Sequence, residues 1–550
     1  MKKQQESNKK CKNLKAGLSE KFYYVFSSFL NKLSLIFKFL SRSETGLYPS
    51  SRPSRFFAFV AIVFALFGTS CLRPHYTRPD LDIPASWREG ADADTPEYSD
   101  AFWRQFRDPV LDELVAVALK NNHDLKKAIY RIQEYYDIFR ITSSAFYPSL
   151  YATGSYSRIK SPLGINNTVS SLPTPPINGN ASTEIQQGGG QAAATGTTVN
   201  GAALSPISNQ YEGFLSSSWE IDLWGRIYSS STASYNNLLA EVEAARSVVL
   251  TLITSVINSY FTLRQLDAEL AVSKQTLASR QESLKLAIDR FELGETSEIE
   301  VRQAQAEVQS AAIRVVEFER DIPKQENLLS ILLGENPGAI ARGLSIDAFE
   351  YPMEIPAGIP SDLLCHRPDI LQAEKQLISA NARVAEAKSL FFPQISLTGT
   401  IGSISEALRD FASTPTNFWQ YSVNALWPLF TGGQIYYNVK RTEAVFFEAV
   451  ENYKQTILTA FREVNDALID YEKERQLVVE HKIQVEVLKE YLKLAKLRYE
   501  EGEIDYLNVL DAERALFDAE LQYVGAQADS FKAAVQIYKT LGVGILTEAI

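Results

Sequence analysis

Few side chains in this sequence are placed to do chemistry. The four histidines, His75, His123, His366 and His481, lack the close spacing that a metal centre needs. His366 directly follows Cys365, but neighbours on a helix start point apart, so they do not make a nucleophile and its base. No glycine-rich loop ending in lysine follows a strand to cradle phosphate. The sequence therefore predicts no enzyme, no cofactor and no metal. The residue whose context marks it for modification is Cys71. It follows Gly68-Thr69-Ser70, which end an apolar run over 56–67, and the 55 residues before that run carry twelve Lys/Arg against three Glu. A basic flank, an apolar core and small residues make a secretion signal. A cysteine directly after them resembles a lipobox, although Gly68 stands where leucine is usual. The thiol would be acylated and become the mature N-terminus. Of the three cysteines, Cys11 would leave with the leader, and Cys365 would remain as a free thiol with no disulfide framework.

The whole chain has 550 residues, 45% apolar and 22% charged, with a net charge of −11. Removing residues 1–70 leaves 43 basic residues against 63 acidic ones, which disfavours nucleic acid as a partner. After residue 71 no stretch offers the 18 or more apolar residues of a spanning helix, so a membrane-embedded body would have to be built of strands.

The body is an internal repeat. Arg290-Phe291-Glu292-Leu293-Gly294 recurs as Arg498-Tyr499-Glu500-Glu501-Gly502, 208 positions on, and Leu333-Gly334 recurs as Leu541-Gly542 at the same offset. Phe146-Tyr147-Pro148 recurs as Phe391-Phe392-Pro393 at an offset of 245, so the first copy holds 37 extra positions. These fall in 160–209, rich in Gly, Ser, Thr, Asn, Pro and Gln, which reads as an exposed loop. Val249, Val256, Leu263, Leu270, Leu277, Leu284 and Phe291 stand at seven-residue steps, as do Ile457, Val464, Tyr471, Val478, Val485, Leu492 and Tyr499. Such a stripe demands partner helices along its whole length. A helix over 226–291 is about 100 Å long at ~1.5 Å per residue. Two shorter helices, 110–145 and 298–333, stacked end to end, would match it.

Each copy also holds two strands. Trp419, Tyr421, Val423, Ala425 and Trp427 alternate with Gln420, Ser422, Asn424 and Leu426; Ile395, Leu397, Gly399 and Ile401 alternate with Ser396, Thr398, Thr400 and Gly402. A third run covers 211–223 and a weaker fourth 147–159. Period-two runs of this length with aromatic ends fit outer-membrane barrel strands. A soluble sheet with one buried face would need a covering domain, which the sequence does not supply. Four strands cannot close a barrel, and open edges cannot sit in lipid, so closure must come from copies of the chain. Two copies give eight strands with a filled interior; three give twelve with an open lumen on the axis, and three is favoured.

These residues resemble the TolC-like outer-membrane factors, in particular the lipoprotein branch that serves resistance-nodulation-division efflux pumps. The segment with Cys71, Pro74, Tyr76, Pro79, Pro84 and Trp87 resembles the family's mature N-terminus. Trp219-Glu220-Ile221-Asp222-Leu223-Trp224-Gly225-Arg226 and Pro428-Leu429-Phe430-Thr431-Gly432-Gly433 resemble its strand-to-helix junctions. Arg367-Pro368-Asp369-Ile370 and the segment from Phe392-Pro393 to Gly399 resemble the opening of its second repeat. The resemblance implies a mixed α and β fold, a homotrimer with a twelve-stranded outer-membrane barrel above a periplasmic helical tunnel. It implies passive export, with a periplasmic adaptor, an inner-membrane pump and outer-membrane lipid as partners. Two other readings are weighed: an exit duct for secreted proteins on the same fold, and a secreted coiled-coil structural protein.

The domain expectation is a leader and signal over 1–70, a lipid-anchored segment over 71–105, and repeat 1 over 106–334. A linker over 335–361, repeat 2 over 362–542 and a tail over 543–550 complete it. Pro148, Gly225, Pro393 and Gly432 mark the strand–helix junctions. Gly294 and Gly502 mark the hairpin tips, where the resemblance implies that an adaptor docks and the tunnel closes. Tyr499 matches a gate-locking tyrosine, but Ile504 stands where some members carry its basic partner, so the locking hydrogen bonds must differ. Asp511 matches one of two gate carboxylates and Asn508 stands at the other, giving one carboxylate ring instead of two.

Overall fold

The computed structural model describes residues 75–80, 84, 87, 101–160, 207–349, 363–412 and 417–542. Cys71, most of the loop over 160–209 and the tail over 543–550 lie outside the described residues. The longer helices among the described residues are α1 (Pro109–Asn121), α2 (His123–Ser144), α3 (Arg226–Glu292), α4 (Glu298–Leu333), α5 (Pro368–Ser389), α6 (Gln434–Glu500) and α7 (Tyr506–Leu541). The strands are β1 (Ser149–Lys160), β2 (Ile207–Ile221), β3 (Gln394–Ser405) and β4 (Asn417–Leu426). Both long helices have 67 residues and both return helices 36, and every one of their boundaries is displaced by the same 208 positions.

Two expectations need correction at their edges. Strand β1 runs to Lys160 and β2 begins at Ile207, so both ends of the expected 160–209 loop belong to the sheet. The single helix expected over 110–145 is two helices, broken at Asn122. Its side-chain oxygen caps α2 by accepting from Leu125 N (2.9 Å), while its amide donates to the Leu332 carbonyl at the end of α4 (2.9 Å). Gly334 closes the same joint: it holds φ +74°, and a Cβ there would lie 2.6 Å from the Asn121 carbonyl oxygen. Stacked in this way, α2 and α4 together accompany α3, as α5 and α7 accompany α6. Cys365 is disulfide-bonded, contrary to the free thiol expected, and the other two cysteines lie outside the described residues.

The heptad stripes lie inward over much of their length, as a coiled-coil pattern requires, and loosen toward the tips, where Phe291 is 43% exposed. Val249, Val256 and Leu263 are fully buried on α3, and Ile457, Val464, Tyr471, Val478 and Val485 are buried on α6. The largest core sits at mid-length, where the copies meet. Phe261 stacks on Phe531 (5.2 Å) with Phe106 edge-on to both. Asp108 is buried beside them. One of its oxygens caps α1 through Val110 N (2.9 Å); the other accepts from Tyr260 Oη (2.7 Å) and Leu344 N (3.1 Å).

The four strands form one antiparallel sheet in the order β1-β2-β3-β4, with β1 and β4 at its edges. The register puts Ala152, Leu215, Ile401 and Trp419 in one cross-strand row and Tyr151, Ser216, Thr400 and Gln420 in the next. One face is thus apolar and aromatic, the other lined with hydroxyls and amides, as a barrel wall between lipid and water requires. Trp419, Tyr421 and Val423 are exposed on the apolar face. No helix among the described residues is long and apolar enough to cross a membrane.

Candidate functional site at the hairpin tips

The ends of the two long hairpins are built alike. Gly294 and Gly502 both hold φ +75°, the left-handed conformation that stops a helix. The turns close with Glu295 N donating to Arg290 O (3.0 Å) and Glu503 N to Arg498 O (2.8 Å). The junctions at the other end use the same device: Gly225 (φ 75°) precedes α3, and Gly432 and Gly433 (φ 59° and 87°) precede α6. Asp222 caps α3 by accepting from Ile227 N (3.2 Å) and Tyr228 N (2.8 Å), while Glu220 takes the Arg226 guanidinium at 2.9 and 2.7 Å. Pro148 and Pro393 stand one residue before β1 and β3.

Close to the tips the two hairpins share a small core of Ala287, Val301, Ala304, Ala495, Val509, Leu510, Ala512 and the Tyr506 ring. Four alanines among these let the helices approach closely enough for side chains to bridge between copies. Tyr499 on α6 donates its hydroxyl to Glu300 Oε2 on α4 (2.9 Å), and the Arg290 guanidinium from α3 lies 5.2 Å from its ring centre. Burial, and then the bond to Glu300, hold the Tyr499 phenol above its usual range, so it stays a neutral donor. Ile504, in place of a basic residue, packs against the tip core.

A second bridge lies one heptad further from the tip. Glu307 on α4 accepts from Arg514 on α7 at 2.8 and 2.5 Å, and from the other side it pairs with Arg280 of α3 at 3.0 Å. Arg280 is buried and lies 5.3 Å from the Phe517 ring. Asp511, one turn before Arg514, is 61% exposed, with an oxygen 3.5 Å from the Arg514 guanidinium. Asn508 is exposed and donates to the Asp505 carbonyl (3.3 Å).

Tyr499, Asn508 and Asp511 thus gather at one end of the molecule with both tip glycines. Glu300, Glu307, Arg280 and Arg514 are the residues that the sequence reading missed. One signal for the first was available: the offset of 208 sets Glu300 opposite Asn508.

Comparison with known proteins agrees with this architecture. Residues 114–335 and 359–543 match the family model described as "Outer membrane efflux protein". The solvent efflux pump outer membrane protein SrpC of Pseudomonas putida is 33% identical over 495 residues, covering 88% of this chain and 97% of that protein. The probable outer membrane lipoprotein SilC of Salmonella typhimurium is 28% identical over 492 residues, covering 88% and 98%. The open state of the MtrE outer membrane channel of Neisseria gonorrhoeae superposes with a TM-score of 0.72 at 26% identity, covering 86% and 98%. The match spans both repeats, sheet and helices alike, and the chain therefore belongs to the outer membrane efflux protein family: it is an outer-membrane efflux channel, and not an enzyme.

Proposed function

We propose that three copies of this chain close into a single duct through the outer membrane and periplasm, locked at rest at the hairpin tips. A periplasmic adaptor would grip the tips around Gly294 and Gly502, and an inner-membrane pump would feed the duct. One observation carries the trimer: the sheet has two edges, β1 and β4, and an apolar outer face, so in lipid its edges must be paired. The helices continue the argument below the sheet. Helix α2, leading into β1, exposes Tyr130 and Ile141; α4, stacked beneath it, exposes Val316 and Ile331; α6, leaving β4, exposes Tyr437, Phe447, Leu458 and Val487. These apolar faces lie on the two sides that neighbouring copies would bring together.

In that duct the bonds from Tyr499 to Glu300 and from Arg514 to Glu307 hold the second hairpin against the first. Three copies of Asp511 would surround the axis as one carboxylate ring, partly offset by Arg514. The two tips differ in sequence, so a trimer offers six adaptor grooves of two kinds.

Acylation of Cys71 belongs to the same reading, carried by the secretion signal before it. It requires that Cys71 not be the partner of the disulfide-bonded Cys365, for which Cys11 and Cys71 are the other two cysteines of the chain. Among the described residues, the segment after it begins at His75, whose backbone oxygen accepts from Asn381 of α5 (3.3 Å).

The test is conductance across planar bilayers by the purified full chain, with its mass measured in the same detergent. A trimer with stable channels is expected; a monomer or dimer, or no conductance, overturns the reading.

A further inference from the structure

The N-terminal segment lies along α5. Its His75 carbonyl meets Asn381, and three residues later the Arg78 guanidinium takes both oxygens of Glu374, Nε at 3.2 Å and Nη2 at 2.9 Å. The two contacts are seven residues apart on α5, about 10 Å at ~1.5 Å per residue. They are three apart on the segment, which fully extended also spans about 10 Å. The segment is therefore an extended strap, antiparallel to α5, and Trp87 continues it by packing edge-on against Phe461 of α6 (6.0 Å).

Glu374 is only 1% exposed. Beside it stand two phenols, Tyr76 of the strap, whose Oη lies 3.5 Å from Glu374 Oε1, and Tyr453 of α6, which is fully buried. Burial pushes the Tyr453 phenol up to about 12, and burial together with Glu374 pushes that of Tyr76 higher still. Both phenols stay neutral, so neither compensates a carboxylate. Among the described residues, the positive charge held against Glu374 is that of Arg78. A carboxylate enclosed between two helices is strongly unfavourable without such a partner.

We propose that the α5–α6 seam is a recognition site for the chain's own extended strap, with Arg78 supplying the countercharge that lets the seam close around Glu374. Docking of the strap is then a step in completing the channel body, and not an ornament added afterwards. The inference goes beyond the proposed duct and stands whether or not Cys71 is acylated.

Hydrogen exchange on the full chain, followed separately for the strap and for α5 and α6 in the seam, tests it. In Arg78→Ala both should exchange at least about tenfold faster than in the parent. Glu374→Gln should free the strap to a similar degree and leave the seam protected. In the double variant Arg78→Ala/Glu374→Gln the strap stays fast and the seam recovers its protection. If Arg78→Ala does not fold, the double variant decides: folding restored supports the proposal, folding still lost overturns it. An unchanged seam in Arg78→Ala, or a seam still loose in the double variant, equally overturns it.

Discussion

Tyr499 and Glu300 belong to different copies of the repeat, lie 199 positions apart in sequence, and are joined by one hydrogen bond of 2.9 Å. The bond ties α6 to α4, so the hairpins cannot part without breaking it. Tyr499→Phe or Glu300→Gln should shift the closed–open balance by about 1–2 kcal/mol, roughly 5- to 30-fold in open probability. Single-channel recording checks this, and the double variant should be no more open than the stronger single one. The bond depends on a protonated phenol whose titration is raised on folding. Its contribution is therefore whole at neutral pH and is lost only as pH climbs beyond the ordinary value of 10.0.

Asp511 should form the narrowest charged ring of the closed tunnel. It lies nine residues after Gly502, about 13 Å along the helical rise. Asp511→Ala should lower cation selectivity and weaken block by divalent cations in bilayer recordings, and Asn508→Asp should do the reverse. Arg514→Ala unmasks the same carboxylate and should raise selectivity while loosening the gate. Selectivity unmoved by all three would put Asp511 outside the lumen.

Mass spectrometry of the membrane-extracted protein should find a mature chain that begins at an acylated Cys71. A Cys71→Ala chain should still trimerise, because strands and helices hold the assembly without the lipid. A different N-terminus, or an unmodified thiol, removes the lipid anchor from the account.

Deleting about 37 residues between β1 and β2 should leave trimer yield unchanged. The second copy joins β3 to β4 with a much shorter connection, and the composition of the longer one offers little apolar surface to bury. Loss of assembly on deletion would mean that it bridges copies of the chain.

Asp108→Ala removes a helix cap and leaves the Tyr260 hydroxyl and Leu344 N–H without their buried acceptor. Destabilisation of about 2–4 kcal/mol is expected, seen as a lower melting temperature of the purified protein.

The seven-residue stripes and the repeat offset gave the architecture away, because a helix about 100 Å long is fixed by local pattern and needs no knowledge of its neighbours. The bounds of α4 could be read directly from Gly294 and Gly334. The break at Asn122 could not: apolar spacing continues across it, and what interrupts the helix is a carbonyl 210 positions away, that of Leu332. The tip shows the same division. Tyr499 was legible through its motif. Glu300, Glu307, Arg280 and Arg514 become a network only when three helices are brought into register, and each alone reads as a solvated charge. Arg78 and Glu374 were invisible for the same reason: an arginine between a threonine and a proline carries no mark of the carboxylate it will meet.

The equal lengths of the two long helices, and of the two return helices, restrict how this chain can change size. A heptad inserted into α3 and α4 alone would keep every stripe in phase, yet push one hairpin about 10 Å beyond the other. The two bridges at the tip would then face the wrong turns, and an adaptor would meet a ragged end in place of a level one. Lengthening is harmless only when all four helices take it together. The reach of the channel across the periplasm is thus a property of matched insertions, and a single unmatched one would break the tip bridges before it disturbed the fold.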